Sequence, residues 1–393
     1  MTGSAGGRRR DWPESASRPL VTPLQASVVY ASPDPDTLDA QYAGDRPGYT
    51  YAREGHPNAD VLARRIDAME GATGGFMTGS GMAAVSAAVM GLVSAGDHVL
   101  GGNQLYGRSL RLMAEDLPRL GVATSVADPT DVAAMAAALR PETRIILIEI
   151  VSNPTIRVAD LTGIAALAND RGILLAVDNT FTTPAAIRPF EHGADIVIHS
   201  VTKLLAGHSD ATLGYVSARD AQVTERMRSF SETLGLTASP FDCWLAERGL
   251  LSFDLRYARA EANARTLADA LAETDGVSRV LYPTRHDHPD HNLAAALLEG
   301  RGSHMVSFEI AGGRAAANAL VRATDPVAFA PTLGDIGTTL SHPASSSHRK
   351  LSDIDRAAIG ITEGFFRVSV GCEDPDVLID RFRAGVAAAV AAG

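Results

Sequence analysis

Cysteine is scarce in this chain, with two in 393 residues. Cys243 and Cys372 are too few for a disulfide framework and neither has a metal-ligating neighbour, so a reducing compartment is expected and a cysteine-ligated metal centre is not. Basic residues are in deficit, 35 Lys and Arg against 46 Asp and Glu, and the formal net charge of -11 argues against a nucleic-acid partner. No apolar run approaches the roughly 20 residues that a membrane-spanning helix needs. Ser86, Gly91 and Ser94 interrupt the best candidate. The basic run at 8–10 is followed by Asp11-Trp12-Pro13-Glu14 and no apolar segment, so it reads as a disordered tail rather than a signal peptide. A cytoplasmic enzyme or binding protein is the expectation, with no membrane partner. Internal repeats are lacking.

What is present is an ordinary globular composition, 46% hydrophobic and 21% charged, long enough for one large domain and a smaller one. Residues 1–58 are rich in Pro, Ser, Asp and Gly without sustained periodicity and read as an irregular arm that needs a partner surface. From Ala59 the apolar residues Val61, Leu62, Ile66 and Met69 recur at helical spacing, with Gly71 as the stop and a second helix expected near Ser80. Short apolar runs at 98–100, 122–126, 145–150, 173–177, 196–198 and 213–216 alternate with helical stretches. That alternation predicts a mainly parallel sheet covered by helices on both faces. An amphipathic stretch from 241 to about 273 leads out of it, and strands at 305–310 and 365–370 and a closing helix at 376–392 make a smaller unit. The expected division is an arm at 1–58, a large domain at 59–255 and a small domain at 256–393.

The segment most informative about chemistry is the strand at 196–198 running into Ser200, Thr202 and Lys203. Open α/β sheets bind ligands at the carboxyl ends of their strands. An amine placed there can condense with a carbonyl cofactor, and desolvation would lower its pKa toward useful nucleophilicity. A lysine in a loop is ordinarily solvated; what singles this one out is an acid one strand upstream, Asp178, also at a strand end. An aspartate can keep a pyridinium nitrogen protonated, although Asp-Asn at a strand end also serves as a turn cap. The hydroxyls of Ser200 and Thr202 are placed to bond one phosphate, and Thr78-Gly-Ser-Gly-Met-Ala-Ala84 opens a helix whose free N–H groups form a second anion site. The same letters fit a dinucleotide fingerprint, but Asp97 precedes the following strand instead of ending it. A nicotinamide-dependent oxidoreductase and a catalytically silent binding protein are the alternatives from other classes. The first lacks the acid in place; the second predicts loss of Lys203, Asp178 or Arg367, and all three are present.

Ser-Val-Thr-Lys at 200–203, Val-Asp-Asn-Thr at 177–180, Ser-Gly-Met-Ala-Ala at 80–84, Tyr-Ala-Arg at 51–53 and Arg-Val-Ser-Val-Gly at 367–371 together resemble the Cys/Met-metabolism family of pyridoxal-phosphate enzymes. That family holds cystathionine γ-synthase, γ-lyase and β-lyase, methionine γ-lyase and O-acetylhomoserine sulfhydrylase. The likeness runs from about Tyr49 to the C-terminus. It implies the aspartate-aminotransferase-like α/β fold (pyridoxal-phosphate fold type I), a large parallel-sheet domain with a smaller C-terminal α/β domain. It implies pyridoxal 5'-phosphate as cofactor, Lys203 as the lysine that holds it as a Schiff base, and Asp178 as partner of its ring nitrogen. Ser200, Thr202 and the backbone of Gly81 and Met82 would hold the phosphate, and Tyr106 would stack on the ring and move protons. Asn153, Arg367, Thr338 and Arg111 would bind substrate, with Asn153 also touching the cofactor. Tyr51 and Arg53 would reach the phosphate of a neighbouring subunit in a homotetramer, a dimer of dimers with shared active sites.

The implied reaction is γ-elimination or γ-replacement on a sulfur amino acid or homoserine derivative, of cystathionine γ-synthase or γ-lyase type. Several positions depart from the family's patterns where substrate choice is made. Gly337 stands where the cystathionine γ-enzymes carry glutamate, Arg108 matches neither a cysteine nor a glycine, and His56 and Asn58 replace a frequent Asn and Thr. Methionine γ-lyase and O-acetylhomoserine sulfhydrylase chemistry are therefore the nearest alternatives. His286, His288 and His291 lie in a Pro- and Asp-rich loop and read as surface residues, and His342 is a candidate for the pocket wall.

Overall fold

The computed structural model describes residues 15–349 and 352–393, so the basic run at 8–10 and its acidic sequel lie outside the described residues. Strands β1 (Phe76–Thr78), β2 (His98–Gly102), β3 (Ala123–Ala127), β4 (Thr143–Glu149), β5 (Leu174–Asp178), β6 (Ile196–Ser200) and β7 (Gly214–Ala218) form one sheet in the order β1-β7-β6-β5-β4-β2-β3. All neighbours from β3 to β6 are parallel, and β7 pairs antiparallel with both β6 and β1. The sheet is mainly parallel, as the alternation predicts. β1 escapes a sequence reading because three residues carry no period.

Burial on both faces explains why these strands read as continuous apolar runs. In β4 the side chains alternate between faces. Ile146 and Ile148 join the core that contains Leu175, Val177 and Ile164 of the helix Leu161–Arg171. Ile145 and Leu147 join the opposite core with Ala176, Ile196, Ile198 and Val85 of the helix Gly81–Met90. The helix ends are also written locally. Gly71 adopts φ 69°, the left-handed cap that stops the helix Pro57–Glu70, and the Ser80 hydroxyl accepts the Ala83 N–H at 3.1 Å to start Gly81–Met90.

A second sheet, β10 (Ala328–Phe329), β11 (Thr339–Ser341), β12 (Phe365–Ser369), β9 (Met305–Ile310) and β8 (Val277–Leu281), runs in that spatial order. Its core joins Phe308 and Phe366 to Leu267, Phe382 and Val386 from the helices Phe253–Ala272 and Pro375–Ala392. The amphipathic stretch from 241 is two helices, Pro240–Leu250 and Phe253–Ala272. The break is held by Arg256, whose guanidinium folds back to donate to the Gly249 carbonyl at 2.9 Å and the Ser252 hydroxyl at 3.1 Å.

The arm is less irregular than expected. Asp34 caps a helix Pro35–Tyr42, accepting the Thr37 N–H at 2.7 Å, and the Asp-Pro signal for it was in the sequence. Two of the residues that depart from the family pattern, His56 and Asn58, also have local work. His56 caps the helix Pro57–Glu70 by accepting the Ala59 N–H at 3.1 Å, while its other nitrogen meets the Ala238 carbonyl at 3.1 Å. Asn58 ties the arm down, accepting from Gln25 N–H at 2.9 Å and donating to the Pro23 carbonyl at 3.1 Å.

In the small core the Phe308 ring stacks on Phe366 at 5.6 Å and meets the Phe382 ring edge-on at 6.1 Å. Phe308→Ala should therefore cost about 3–5 kcal/mol, through lost transfer energy and the cavity left behind. The measurement is urea unfolding, where the variant's midpoint falls. An unchanged midpoint would mean that this core relaxes around the cavity.

Candidate active site

The carboxyl ends of β4, β5 and β6 lie side by side and carry Glu149, Asp178 and Ser200, with Asp178 opposite Ile198 and Ser200 two residues further along β6, where its N–H donates to the Thr180 hydroxyl at 2.7 Å. Glu149 and Asp178 are partners in the β4/β5 register, so two half-buried carboxylates are neighbours and form the floor of the candidate site. Burial pushes the Asp178 carboxyl up, partly offset by Thr180 N–H, which donates to it at 3.0 Å, and by His199 behind it. Burial and then the Asp178 charge push Glu149 well above the carboxylate range. Glu149 accepts the Tyr106 N–H at 2.5 Å, which fixes the start of the short helix Gly107–Arg111. Beneath the floor, Glu70 pairs with His199 and accepts an N–H of Asn179 at 2.8 Å, all three buried.

Lys203 follows β6 in a turn closed by its own N–H on the Ser200 carbonyl at 3.1 Å. Burial, and next the positive charge of Arg367, hold its ammonium below the usual lysine range. Its Nζ lies 3.4 Å from the Thr332 hydroxyl. Arg367, on β12, donates to the Thr332 carbonyl at 2.7 Å and to Asn153 Oδ1 at 2.6 Å, and its Nε is buried with no partner. Burial pulls this guanidinium down to about 10, with the Tyr106 phenol opposing. The loop carrying Thr332 runs so close that a Cβ on Gly334, which sits at φ 79°, would lie 2.5 Å from Leu204 N and 3.1 Å from Lys203 Cα. Only glycine suits that position.

The start of the helix Gly81–Met90 abuts β6: a Cβ on Gly81 would lie 2.6 Å from Ser200 Cβ. Its first N–H groups, those of Gly81 and Met82, are the orphan donors of a helix start, suited to an anion.

Other residues expected at the site are placed otherwise. The Thr202 hydroxyl donates to the Leu213 carbonyl at 3.2 Å and accepts the Leu213 N–H at 2.9 Å, so it closes a backbone loop. The Thr338 hydroxyl donates to Glu373 at 2.8 Å and accepts the Gly371 N–H at 2.9 Å, a buried brace. Arg111 pairs with Glu115 at 3.0 Å along an exposed helix face, and Arg108 is exposed. Tyr51 and Arg53 lie together, the guanidinium 5.5 Å from the ring, with Arg53 donating to the Glu232 carbonyl at 3.1 Å. His342 is buried with both ring nitrogens bonded, to Ser345 Oγ and to the Glu363 carbonyl, each at 2.8 Å, which makes it a loop brace rather than a pocket wall. His288 is buried and not a surface residue, because its ring bonds the Ile156 carbonyl at 3.0 Å; His286 is exposed. No group of metal-ligating side chains gathers among the described residues.

Sequence reasoning missed Glu149, Thr332 and His304. Glu149 bore the signal that marked Asp178, an acid ending an apolar strand. Thr332 bore none. His304, buried near Arg367 and pulled down to about 3 by burial and that charge, precedes β9 as an ordinary apolar-strand neighbour.

The donor set fits pyridoxal phosphate: an amine of lowered pKa for its carbonyl, carboxylates for its ring nitrogen, a helix start for its phosphate, and an unpaired guanidinium Nε for a substrate carboxylate. Residues 7–387 match the model of the Cys/Met metabolism PLP-dependent enzyme family. The O-succinylhomoserine sulfhydrylase of Pseudomonas aeruginosa is 40% identical over 349 residues, which cover 89% of this chain and 86% of that one. The L-methionine gamma-lyase of Pseudomonas putida is 36% identical, covering 93% of this chain and 92% of that one. The crystal structure of cystathionine gamma synthase from Xanthomonas oryzae pv. oryzae in complex with cystathionine superposes with a TM-score of 0.90 at 35% identity, covering 97% of this chain and 96% of that one. Fold and site thus define a fold type I pyridoxal-phosphate enzyme. The chain belongs to the Cys/Met metabolism PLP-dependent family.

The buried carboxylate pair has a consequence for stability. Glu149 has a folded pKa above its unfolded one, so as pH rises through the carboxylate range toward that raised value the unfolded chain ionises first and stability is lost. Glu149→Gln keeps an acceptor for Tyr106 N–H and removes the acid. In the cofactor-free form the variant should melt higher than wild type at pH 8, with the gap closing as pH falls toward 4. Parallel melting curves across that range would show that the pair carries no such penalty.

Proposed function

We propose that this enzyme catalyses γ-elimination or γ-replacement on a sulfur amino acid or homoserine derivative, with chemistry of cystathionine γ-synthase or γ-lyase type. The observation that carries the reading is the linkage of Lys203, Thr332, Arg367 and Asn153 by direct contacts, with Asp178 ending β5, the strand beside the β6 that leads to Lys203. Pyridoxal phosphate, when bound, supplies the electron-withdrawing ring that makes the substrate's α-proton acidic. The Lys203 amine would hold the cofactor's carbonyl and would carry protons at the substrate's carbons, its pKa already lowered by burial and Arg367. Asp178 keeps the ring nitrogen's proton in place. Gly81, Met82 and Ser200 hold the phosphate at the helix start, with Thr202 shaping the turn beneath it.

The Arg367 guanidinium, already oriented by Asn153 and Thr332, grips the substrate α-carboxylate. For γ-chemistry Lys203, having passed the α-proton on, would take a proton from the β-carbon. The γ-substituent would leave with its bonding electron pair and gain a proton, and either a nucleophile would take its place with loss of its own proton, or water would supply the keto oxygen while the substrate nitrogen leaves as ammonia. Tyr106, beside Arg367, is the phenol placed to pass protons near the leaving group.

A second reading, O-acylhomoserine sulfhydrylase, is favoured by the 40% identity to an O-succinylhomoserine sulfhydrylase and by Gly337, which brings no carboxylate where the cystathionine γ-enzymes carry one. Rates with cystathionine, with methionine, and with O-succinylhomoserine plus sulfide or cysteine decide between them. Arg111→Ala and Arg108→Ala test whether either arginine serves a distal carboxylate: release of Arg111 from Glu115 would be needed first.

We further propose a homotetramer with shared sites, Tyr51 and Arg53 reaching the phosphate of a neighbour. The bond of Arg53 to the Glu232 carbonyl on the helix Ala221–Leu234, the exposure of Tyr51 beside it, and the exposure of Leu20, Val21, Val28 and Val29 along the arm support a second copy against that surface.

Two outcomes are expected. Borohydride reduction followed by peptide mapping should label Lys203, and Lys203→Ala should abolish turnover with the fold retained; label on another lysine overturns the assignment. Mixing inactive Arg53→Ala and Lys203→Ala subunits should restore part of the activity, because hybrid dimers hold one intact site. Hybrids that form and stay inactive would rule out sharing.

A further inference from the structure

The loop that carries Asn153 is gripped from the side opposite the cleft. Val151 and Val158 form an antiparallel bridge, Ser152 N–H donates to the Arg157 carbonyl at 2.9 Å, and Ile156 N–H donates to the Ser152 carbonyl at 3.0 Å. Those bonds make 151–158 a closed unit with Asn153 and Pro154 near its tip. Displacing its base therefore displaces Asn153.

Two parts of the five-stranded-sheet unit hold this loop. At the tip, Arg367 donates to Asn153 Oδ1 at 2.6 Å and Ser307 donates to the Pro154 carbonyl at 2.7 Å. Arg367 and Ser307 are register partners on β12 and β9, so the tip meets a fixed pair of strands. At the base, the turn between β8 and the helix His291–Leu298 inserts His288 and Asp290. The Asp290 carboxylate, 7% exposed, accepts from Arg157 Nε at 2.6 Å, Arg157 Nη2 at 2.8 Å and Val158 N–H at 2.9 Å. His288, 3% exposed, accepts the Asp290 N–H at Nδ1, 3.1 Å, and donates from Nε2 to the Ile156 carbonyl at 3.0 Å. Burial favours the neutral ring that this pattern requires.

We propose that His288 and Asp290 are positioning residues for recognition of the substrate α-carboxylate, acting through the loop 151–158 on Asn153 and so on Arg367. The inference rests on the reading of Arg367 and Asn153 as the carboxylate grip. Two features argue against simple docking of one sheet on the other. The bidentate fork fixes Arg157 in angle as well as distance. The base contacts also fall on three successive residues, Ile156, Arg157 and Val158, of the unit that carries Asn153 near its tip, where a docking contact could have fallen anywhere on the surface. Misplacement of a substrate-positioning group by about 1 Å costs on the order of 100-fold in rate.

The test uses the cofactor-loaded enzyme and steady-state kinetics with its best amino-acid substrate, beside cofactor content by absorbance and hydrogen exchange of peptides spanning 151–158. Asp290→Asn and His288→Ala should raise KM about tenfold or more, a fraction of the full misplacement loss. Cofactor content should stay at the wild-type level and exchange in the loop should quicken. His288→Gln, which restores an N–H for the Ile156 carbonyl, should recover most of the loss. Arg157→Lys, which keeps the charge but not the fork, should show the same split at smaller size and carries the test if Asp290→Asn does not fold. Quickened exchange with KM unchanged, or loss of cofactor in step with KM, overturns the inference. Arg367→Ala is run in parallel. If it raises KM and Asp290→Asn does not, only the positioning role fails; if neither does, the carboxylate grip itself falls and the inference with it.

Discussion

The structure depends on holding charge in a place where water is scarce. Lys203 and Arg367 lie near each other on one side of the cleft, and Asp178 and Glu149 are register neighbours on its floor. Each like-charged pair is unfavourable by itself, and desolvation makes it more so. The surroundings are the compensation. The Asn153 amide oxygen and the Thr332 carbonyl take two of Arg367's donors, Thr180 and Tyr106 N–H groups serve the carboxylates, and the buried His199–Glu70 pair lies behind Asp178. For Lys203 the penalty on the charged form brings the amine nearer to the neutral state that proton transfer requires, whereas Arg367 stays a guanidinium cation at neutral pH.

That arrangement sets what the rest of the fold must do. The floor needs adjacent parallel strands, because only then do three carboxyl ends lie side by side at strand spacing. The wall needs a second sheet, because Arg367 comes from β12 while Asn153 follows β4. The two sheets are joined through polar contacts at the site, Arg367 to Asn153 and Ser307 to the Pro154 carbonyl, and at its rear by the Arg157–Asp290 fork. The smaller-sheet unit also meets the turn after β6, through the Thr332 hydroxyl on Lys203 and the close pass of Gly334, so the carboxylate grip and the cofactor's lysine both sit where the two sheets meet.

How much of this was legible follows from the range of the interactions involved. The helix stop at Gly71, the cap at Ser80 and the strands from β2 to β7 were readable because caps and apolar periods are local signals. Lys203 and Asp178 were readable because a strand end is a local position too, and the same rule applied to β4 would have yielded Glu149. Thr332 was not readable, since what matters about it is the close pass of a loop that Gly334 permits. Thr338 and Thr202 show the converse: hydroxyls beside functional residues, yet saturated by Glu373 and by the Leu213 backbone. A hydroxyl's neighbours in sequence do not say which partner claims it. His288 looked like a loop histidine for the same reason, since its partner, the Ile156 carbonyl, is 132 residues away.

Substrate choice is where this distinction between local and distant signals matters most. Gly337 sits within a segment braced from beneath: its N–H donates to Asp335 at 2.8 Å, and its neighbour Thr338 is tied to Glu373. A side chain introduced at 337 would meet Asp335 Oδ1 at 3.3 Å and Glu373 Oε1 at 3.8 Å, both acidic, so a glutamate there would face repulsion unless a cation lay within reach. The arginines recorded beside this segment are Arg259, which donates to the Glu373 carbonyl at 3.4 Å, and Arg256, whose charge interacts with Asp335; Arg111 is committed to Glu115 on its own helix face. An exposed pair of this kind is held by little, typically under 1 kcal/mol. A distal carboxylate arriving in a less hydrated pocket could therefore draw Arg111 away from Glu115, whereas an uncharged thioether offers it no reason to move. The acids around 337 and the loosely held Arg111 are separate features, yet both bear on whether the enzyme suits a substrate that brings its own negative charge.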